Sequence, residues 1–332
     1  MEEKKQVQIF RADDPESKLK AKLGRFSESK EAVQLKVNAE NCGGVDQVDR
    51  IAKALVGLSK PHWRLVLWVW WNDLESVPES VWELANLEEL RLDNNKLKTI
   101  SPAIAKLTKL RILWMDVNPF EGFPEAVCLL EQLEQLSVID CQLSVLPPSF
   151  APLRNLLELY LGDNAFEQFP EVICELRNLR KLWLNDNKLS SLPRSLIKLR
   201  ELRQFCISYN RFKEFPEVVC ELPNLENLDM GKNQLSELPL AITKLVRLKY
   251  LNLNRNSFTS FPLFLGDLPQ LSEFYSSGWF NLLDSISHAN SWSRQSSAGS
   301  SKWPFKCQSA PLPPTALCDP SFNGHHCCWF LL

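Results

Sequence analysis

One spacing constrains the fold of this chain more than any other feature: a polar residue recurs every 23 positions without insertion. These positions are Asn72, Asn95, Asn118, Cys141, Asn164, Asn187, Asn210, Asn233 and Asn256. In most copies an apolar residue stands eight, five and three positions before this residue and two positions after it, as between Leu179 and Leu189. Nine copies in one register predict a repeat architecture in which each copy is one structural unit.

The apolar spacing also predicts the conformation of one copy. Residues five and three positions before the recurring residue would alternate on a short strand and point into a common core. The recurring Asn, here called the bend residue, would close the turn by bonding to free backbone groups. At Cys141 a thiol replaces the amide, so we expect a less well satisfied bend. Since one coil cannot bury its apolar face alone, the prediction is an α/β leucine-rich repeat solenoid, a curved horseshoe with parallel strands on the concave face.

The repeat motif L-x-x-L-x-L-x-x-N-x-L-x-x-L-P-x-x-I-x-x-L, over about residues 65 to 275, resembles intracellular leucine-rich repeat proteins of the Shoc-2-like and Ras suppressor protein type. The resemblance implies a non-catalytic scaffold that binds a protein partner on its concave face. Partners implied by it are a small GTPase, a phosphatase subunit or a cytoskeletal protein. A signalling scaffold and a cytoskeletal or sarcomeric adaptor would use the same face, so both remain open.

The regions flanking the repeats lack the motif. Residues 1–30 are charged and without period, which predicts a flexible N-terminal segment, and residues 31–64 are expected to form a strand and helix that cap the first coil. Residues 65–277 would hold nine 23-residue repeats and a partial tenth. Residues 285–332 are rich in Ser and Pro and are expected to be disordered.

Four tryptophans fall within the stretch from Trp63 to Trp71, and the repeat register assigns them to faces. Leu67 and Val69 would point into the core, whereas Trp68 and Trp70 would lie on the concave face. Because leucines already fill the inward positions, concave aromatic rings must be exposed, covered by the N-terminal segment or covered by a partner. The column four positions before the bend residue continues with Arg91, Trp114, Ser137, Tyr160 and Trp183.

These columns predict a partner-binding surface, since Trp and Tyr are enriched at interface hot spots. For the two tryptophans nearest the cap a structural role is favoured, and for the later aromatic residues binding is favoured. Asp93, Asp116, Asp163 and Asp186 are expected to rim the surface, which suits a partner with apolar groups and Lys or Arg. The predicted binding residues are Trp68, Trp70, Arg91, Asp93, Trp114, Asp116, Tyr160, Asp163, Trp183, Asn185 and Asp186.

Charge and composition narrow the partner class further. A net charge of -2 gives no general attraction to phosphate backbones, so we expect no nucleic-acid partner. The N-terminus lacks a secretory signal, and the apolar run around the tryptophans is far below the roughly 20 residues needed to span a bilayer. The prediction is a cytoplasmic protein with no membrane span. Opposite charges eleven positions after the bend residue predict a convex ladder of Glu175, Lys198, Glu221, Lys244 and Asp267.

No motif of an enzyme or of a cofactor or metal site is found. Cys128, Cys174 and Cys220 recur in alternate coils, about 10 Å apart, which exceeds disulfide reach and predicts small buried hydrophobes. The run at 325–328 lacks the paired spacing of a zinc site. A leucine-rich repeat ubiquitin ligase using Cys318 would need a folded domain that the tail does not provide. The sequence therefore predicts no catalytic residue, no cofactor and no metal ligand.

Overall fold

The computed structural model describes residues 6–10, 34–58, 63–260, 262–276 and 306–308. Within these residues, thirteen strands form one parallel sheet in which every strand pairs with the next in sequence. This topology is the predicted solenoid, since each coil returns to start a new strand beside the last. The strands are β1 Gln6–Phe10, β2 Gln34–Asn38, β3 Arg64–Trp68, β4 Leu87–Arg91, β5 Ile112–Trp114, β6 Gln135–Ser137, β7 Glu158–Tyr160, β8 Lys181–Trp183, β9 Gln204–Cys206, β10 Asn227–Asp229, β11 Tyr250–Asn252, β12 Glu273–Tyr275 and β13 Lys306–Gln308.

The return path of each coil contains one turn of 3₁₀ helix rather than an α-helix. A proline stands at or just before the first residue of each of these helices, where its fixed φ and missing N–H are tolerated. The 3₁₀ helices are Glu79–Glu83, Pro102–Lys106, Glu125–Leu129, Pro148–Phe150, Glu171–Glu175, Arg194–Lys198, Glu217–Glu221, Leu240–Lys244 and Leu263–Asp267.

The core runs the length of the solenoid as one continuous cluster, from Leu35 to Phe274. The positions five and three before the bend residue are buried in all nine coils, as Leu182 and Leu184 illustrate. Phenylalanine and leucine alternate at the positions after the bend without interrupting this cluster. The sequence prediction of which leucines point inward is confirmed.

A strand and a helix precede the first repeat. Strand β2 pairs in parallel with β3, and helix α1, Val45–Leu58, follows it. Ser80 in the first 3₁₀ helix donates a hydrogen bond of 2.7 Å to Asp49 of α1. The N-terminal edge of the sheet is thereby extended and the core end is covered by the buried face of α1.

Two strands lie in segments for which the sequence predicts no regular structure. Strand β1 falls within residues 1–30 and pairs with β2, and β13 falls within residues 285–332 and pairs with β12. An open sheet edge presents free backbone groups, and a short added strand satisfies them. The other residues of both segments, including Cys318 and the run at 325–328, lie outside the described residues.

Candidate protein-binding face

The bend residues hold the coils in register, and this register aligns the columns of the concave face. Asn187 shows the pattern: its Nδ2 donates to Leu161 O at 3.0 Å and Leu184 O at 3.2 Å, and its Oδ1 accepts from Phe166 N at 3.0 Å. Equivalent bonds recur at Asn95, Asn118, Asn164, Asn210 and Asn233. Each asparagine therefore joins its own coil to the preceding one.

The bend at Cys141 makes fewer bonds, as the sequence predicts. Its Sγ lies 3.3 Å from Met115 O and 3.3 Å from Ile139 O, but a thiol has only one proton for both carbonyls. In the asparagine coils the equivalent N–H donates to the asparagine Oδ1, as Phe166 N does to Asn187. Here the Phe120 N–H donates instead to Asn118 O at 2.9 Å. This coil joins its neighbour less tightly than the asparagine coils do.

The residue before each bend residue has a left-handed backbone conformation in all nine coils, with φ between 50° and 56°. Its N–H reaches a carbonyl of the next coil, as from Asp163 N to Asn185 O at 2.9 Å. Asp and Asn tolerate this conformation best, whereas β-branched Val117 is strained there. Among these positions, three consecutive coils carry Asp140, Asp163 and Asp186, which we call the rim row.

Three aromatic rings pack against one another on the sheet. We call Trp114, Tyr160 and Trp183 the aromatic strip. The Tyr160 ring meets Trp114 edge-on at 6.5 Å and Trp183 at 4.8 Å between centroids. Its hydroxyl donates to Glu158 Oε2 at 2.6 Å, and burial followed by this carboxylate raises the pKa of Tyr160. All three rings remain partly exposed, so they present a preformed aromatic surface.

Arg91 lies between two tryptophans of neighbouring coils. Its guanidinium carbon is 5.0 Å from the Trp68 ring centroid and 4.0 Å from that of Trp114. Glu89 Oε1 pairs with Arg91 Nε at 2.8 Å and also accepts from Trp68 Nε1 at 2.9 Å. This arrangement combines cation–π contacts with a charged hydrogen bond, so Arg91 is fixed in place.

The two tryptophans nearest the cap have contacts within the protein. Trp70 Nε1 donates to Asn38 Oδ1 in β2 at 3.2 Å, and the Trp68 and Trp70 rings lie 5.8 Å apart. These bonds join the first repeat to the cap strand. They give Trp68 and Trp70 a structural contribution, although both rings remain half-buried rather than covered.

Asp93 and Asp116 lie beneath the concave surface and do not form part of its rim, which corrects the placement expected from sequence. Both side chains are buried, and hydrogen bonds satisfy their carboxylates. Asp93 Oδ1 accepts from Asp116 N at 3.0 Å, and Asp116 Oδ1 accepts from Ser137 Oγ at 2.6 Å. Strand alternation gave the correct face but not the depth. Burial raises the pKa of Asp93 well above its usual range and the pKa of Asp116 to about 6, while nearby Arg91 lowers both.

The other two predicted rim residues, Asp163 and Asp186, lie nearer the surface. Asn185 Nδ2 donates to Asp186 Oδ2 at 3.2 Å, and Asp163 and Asp186 are both half-buried. Gly162 leaves room for the Asn185 side chain, because a Cβ at residue 162 would lie 2.7 Å from Asn185 Oδ1 and that side chain would have to shift. Asp140, Asp163 and Asp186 line one open cavity, and the part of Asp163, Asn185 and Asp186 in partner binding stays a prediction. Sequence reasoning did not select Asp140.

The column six positions before the bend residue was also missed. Glu89 and Glu158 in this column hold Arg91 and Tyr160, and Lys181 pairs with Glu158 at 3.0 Å. Strand alternation places this column on the same face as the column four before the bend. The same 23-residue spacing, counted from two positions earlier in each coil, would have identified this column.

The predicted ladder on the opposite side is confirmed at two steps. Lys198 Nζ lies 2.6 Å from Glu175 Oε1, and Lys244 Nζ lies 2.6 Å from Glu221 Oε1. These side chains are exposed, so each pair adds little to stability. The ladder provides charged residues that can be changed without touching the concave face.

Six cysteines are free thiols: Cys42, Cys128, Cys141, Cys174, Cys206 and Cys220. Burial raises the pKa of Cys220 to about 12 and also raises the pKa of Cys128 and Cys174. A thiol with a raised pKa is a poor nucleophile, so these side chains act as small hydrophobes. In the ranges that the structure describes, no three potential ligands are grouped to hold a metal ion.

Comparison with known proteins identifies the class of this concave, parallel-stranded solenoid. A family model described as "Leucine-rich repeat region" matches residues 92–211, and a second, "Leucine Rich Repeat", matches residues 247–268. These matches and the coil geometry show a leucine-rich repeat solenoid fold. Comparison with curated protein sequences gave no match. Leucine-rich repeat folds generally mediate protein–protein interaction.

Solved structures show the same fold. A leucine-rich repeat protein of Leptospira interrogans is 25% identical and has a TM-score of 0.56, with 73% of this chain and 71% of that chain covered. An internalin of Listeria monocytogenes is 16% identical with a TM-score of 0.57, covering 80% and 91%. A plant peptide hormone receptor, RGFR1 in complex with RGF2, is 19% identical with a TM-score of 0.53, covering 82% and 49%. This chain spans about half of that receptor.

One further finding concerns membranes. Across the described ranges, no helix has the length and apolar content needed to cross a bilayer.

Proposed function

We propose that this protein is a non-catalytic interaction scaffold that binds a protein partner on its concave face, over the aromatic strip. The carrying observation is the row of half-buried rings of Trp114, Tyr160 and Trp183, packed edge to face on a rigid sheet. Large amphipathic rings bind with little loss of conformational entropy, and a preformed arc reduces the cost further. Trp68, Trp70 and Arg91 extend the same surface toward the cap.

The pathway is the finer part of the proposal. The resemblance of the repeats to Shoc-2-like and Ras suppressor proteins supports a cytoplasmic signalling scaffold whose partner is a small GTPase or a phosphatase subunit. A cytoskeletal adaptor would use the same rings, and the identity of the bound protein separates the two.

The test is affinity capture from cell lysate with the full chain and with Trp114→Ala/Tyr160→Ala/Trp183→Ala. We expect the variant to lose one or more specific partners, because removing hot-spot rings costs about 2 kcal/mol or more each. Circular dichroism and thermal melting first establish that both proteins are folded.

The matched control is Ile197→Ala/Leu240→Ala/Leu263→Ala. These side chains are exposed at 44%, 66% and 62% and lie in the 3₁₀ helices on the opposite side. The control should keep every partner. If the aromatic variant captures the same proteins as the wild type, the concave strip is structural and the proposal is wrong.

A further inference from the structure

The coil of Arg91 shows how this sheet holds a guanidinium. The cation stacks between Trp68 and Trp114, which belong to the coils on either side, and Glu89 supplies the countercharge. Planar guanidinium stacks on aromatic faces better than the compact, strongly hydrated ammonium of lysine. Two aromatic residues separated by one coil, with an acid beside them, thus hold the arginine side chain of the intervening coil.

The same arrangement recurs two coils further on, without the arginine. Trp114 and Tyr160 again flank one intervening coil, but that coil carries Ser137, which is buried and too short to reach between the rings. The two rings meet edge-on at 6.5 Å instead of stacking on a cation. A guanidinium above Ser137 would replace this edge contact by stacking on the two partly exposed rings.

Acidic side chains lie near this position. Asp116 accepts the Ser137 hydroxyl at 2.6 Å, and Glu158 accepts the Tyr160 hydroxyl and is already paired with Lys181 at 3.0 Å. Asp140 and Asp163 of the rim row belong to the coils of Ser137 and Tyr160. Carboxylates on successive coils, about 5 Å apart, favour a cationic side chain at this edge.

The rim changes sign further along the sheet. The positions equivalent to the rim row carry Lys232 and Arg255 in the last two complete coils. A basic segment would therefore be attracted to the middle coils and repelled by the C-terminal ones. Charge complementarity selects both the chemistry and the location of the partner.

We propose that the partner presents an arginine-bearing basic segment, and that one of its guanidinium groups stacks between Trp114 and Tyr160 above Ser137, as Arg91 does between Trp68 and Trp114. This inference rests on the proposed function and adds the chemical class of the partner. The rim row supplies the attraction that orients the segment.

A displayed library of random twelve-residue peptides, selected on the full chain, is the probe. We expect the enriched peptides to carry arginine next to apolar residues. The affinity of an enriched peptide is then measured by fluorescence anisotropy for Asp140→Asn/Asp163→Asn/Asp186→Asn. Binding should weaken about tenfold at low salt, and the difference should shrink at high salt, where exposed charges are screened.

The control Glu175→Gln/Glu221→Gln/Asp267→Asn removes the same number of charges from the opposite side and should bind as the wild type does. Asparagine preserves the left-handed conformation of the rim row, so the fold should be unaffected. A peptide with citrulline in place of its arginine keeps the shape without the charge and should bind at least tenfold more weakly. Ser137→Arg would fill the position from within and abolish peptide binding.

The outcomes separate the two proposals. If Trp114→Ala/Tyr160→Ala/Trp183→Ala loses peptide binding and the rim-row variant does not, the binding face stands and the arginine inference is overturned. A selection that enriches no arginine-bearing peptide also overturns it. If the aromatic variant binds peptide like the wild type, the proposed function fails and the inference falls with it.

Discussion

Within each coil, the bend residue and the residue four positions before it differ in how much the residue type varies from coil to coil. The bend residue is asparagine in eight of nine coils, and its amide joins adjacent coils through hydrogen bonds that are mostly buried. The column four positions earlier changes from coil to coil and lies at the concave surface. What recurs maintains the solenoid, and what varies is available for recognition, because a solenoid needs the same bend in each coil but not the same surface.

The concave column itself divides into two parts. From Trp68 to Trp183 it is aromatic except at Arg91 and Ser137, whereas from Cys206 onward it carries a thiol, Asp229, Asn252 and finally Tyr275. In the second part Asp229 Oδ1 is used internally, accepting from Gly231 N and from Asn252 Nδ2. Contiguous, partly exposed rings suit an interface core, so the proposed binding face lies in the first part.

The sharpest test of the first comparison uses two substitutions in one coil. Asn187→Ala should destabilise the protein by about 3 kcal/mol, because Phe166 N–H and Leu161 O each lose a buried partner. Trp183→Ala removes a much larger side chain but should cost only about 1–2 kcal/mol, since the ring is half-buried. Urea unfolding midpoints, compared at equal m-value, measure both.

Asn178→Ala is the control for the asparagine substitution. Its amide donates to Arg154 O from an exposed position, where water can replace it. We expect almost no change in the unfolding midpoint. A loss at Trp183 as large as that at Asn187 would contradict the division between stabilising and recognition columns.

The next test concerns Asp116, which stands two positions before the bend residue Asn118 and is buried. Because its pKa is raised to about 6 in the folded protein, the folded state binds more protons than the unfolded chain between about pH 4 and pH 6. Its contribution to stability is therefore present at low pH and lost as the pH rises through 6. Asp116→Asn should gain on the wild type by up to about 3 kcal/mol between pH 4 and pH 7.

Urea unfolding of both proteins at several pH values measures this gain. The contribution of Asp116 is the difference in unfolding free energy between the wild type and Asp116→Asn at each pH, because all other groups titrate in both proteins. A difference that stays constant from pH 4 to pH 7 would mean that water reaches the Asp116 carboxylate, and it would place this residue back on the surface.

A smaller effect is expected at Arg91, which belongs to the variable column but has partners within the protein. Arg91→Ala should cost about 2 kcal/mol and Arg91→Lys about half as much, because lysine keeps the charge and loses planar stacking on two rings. Since the Arg91 charge lowers the pKa of Asp93 and Asp116, the loss for Arg91→Ala should be greater at pH 7 than at pH 4.5, whereas Arg91→Lys keeps the charge and should lose about the same at both. Unfolding midpoints at the two pH values give the answer, and an Arg91→Lys variant as stable as the wild type would exclude a stacking contribution.

The sequence was sufficient for the fold because every coil repeats the same physical requirement. Leu182 and Leu184 could be placed in the core, and Trp183 on the concave face, from the 23-residue register and strand alternation alone. The register also predicted the Lys198–Glu175 pair.

Depth and side-chain partners could not be predicted in this way. Alternation gave the face of Asp93 and Asp116 but not their burial, which depends on which backbone N–H groups their carboxylates reach. The stacking of Arg91 depends on side-chain torsions in three coils at once. The left-handed backbone before each bend residue was not predicted, and at Val117, which disfavours it, the inter-coil bond from Val117 N to Ile139 O stabilises it.

The smallest effect is expected when Cys141, the one bend residue that is not asparagine, is changed to asparagine. Cys141→Asn should stabilise the protein by about 1 kcal/mol, because an amide can donate to both Met115 O and Ile139 O and offers an acceptor to Phe120 N–H. Pro119, with its fixed φ, precedes Phe120, so a gain requires that the Phe120 N–H turn away from its present bond.

Cys141→Ser is the control, since its side chain is too short to reach across. A rise in the urea midpoint for Asn but not for Ser would show that the bend amide itself joins the coils. If the Asn variant unfolds at the same urea concentration as the wild type, the local turn at residues 118–120 already compensates for the missing amide.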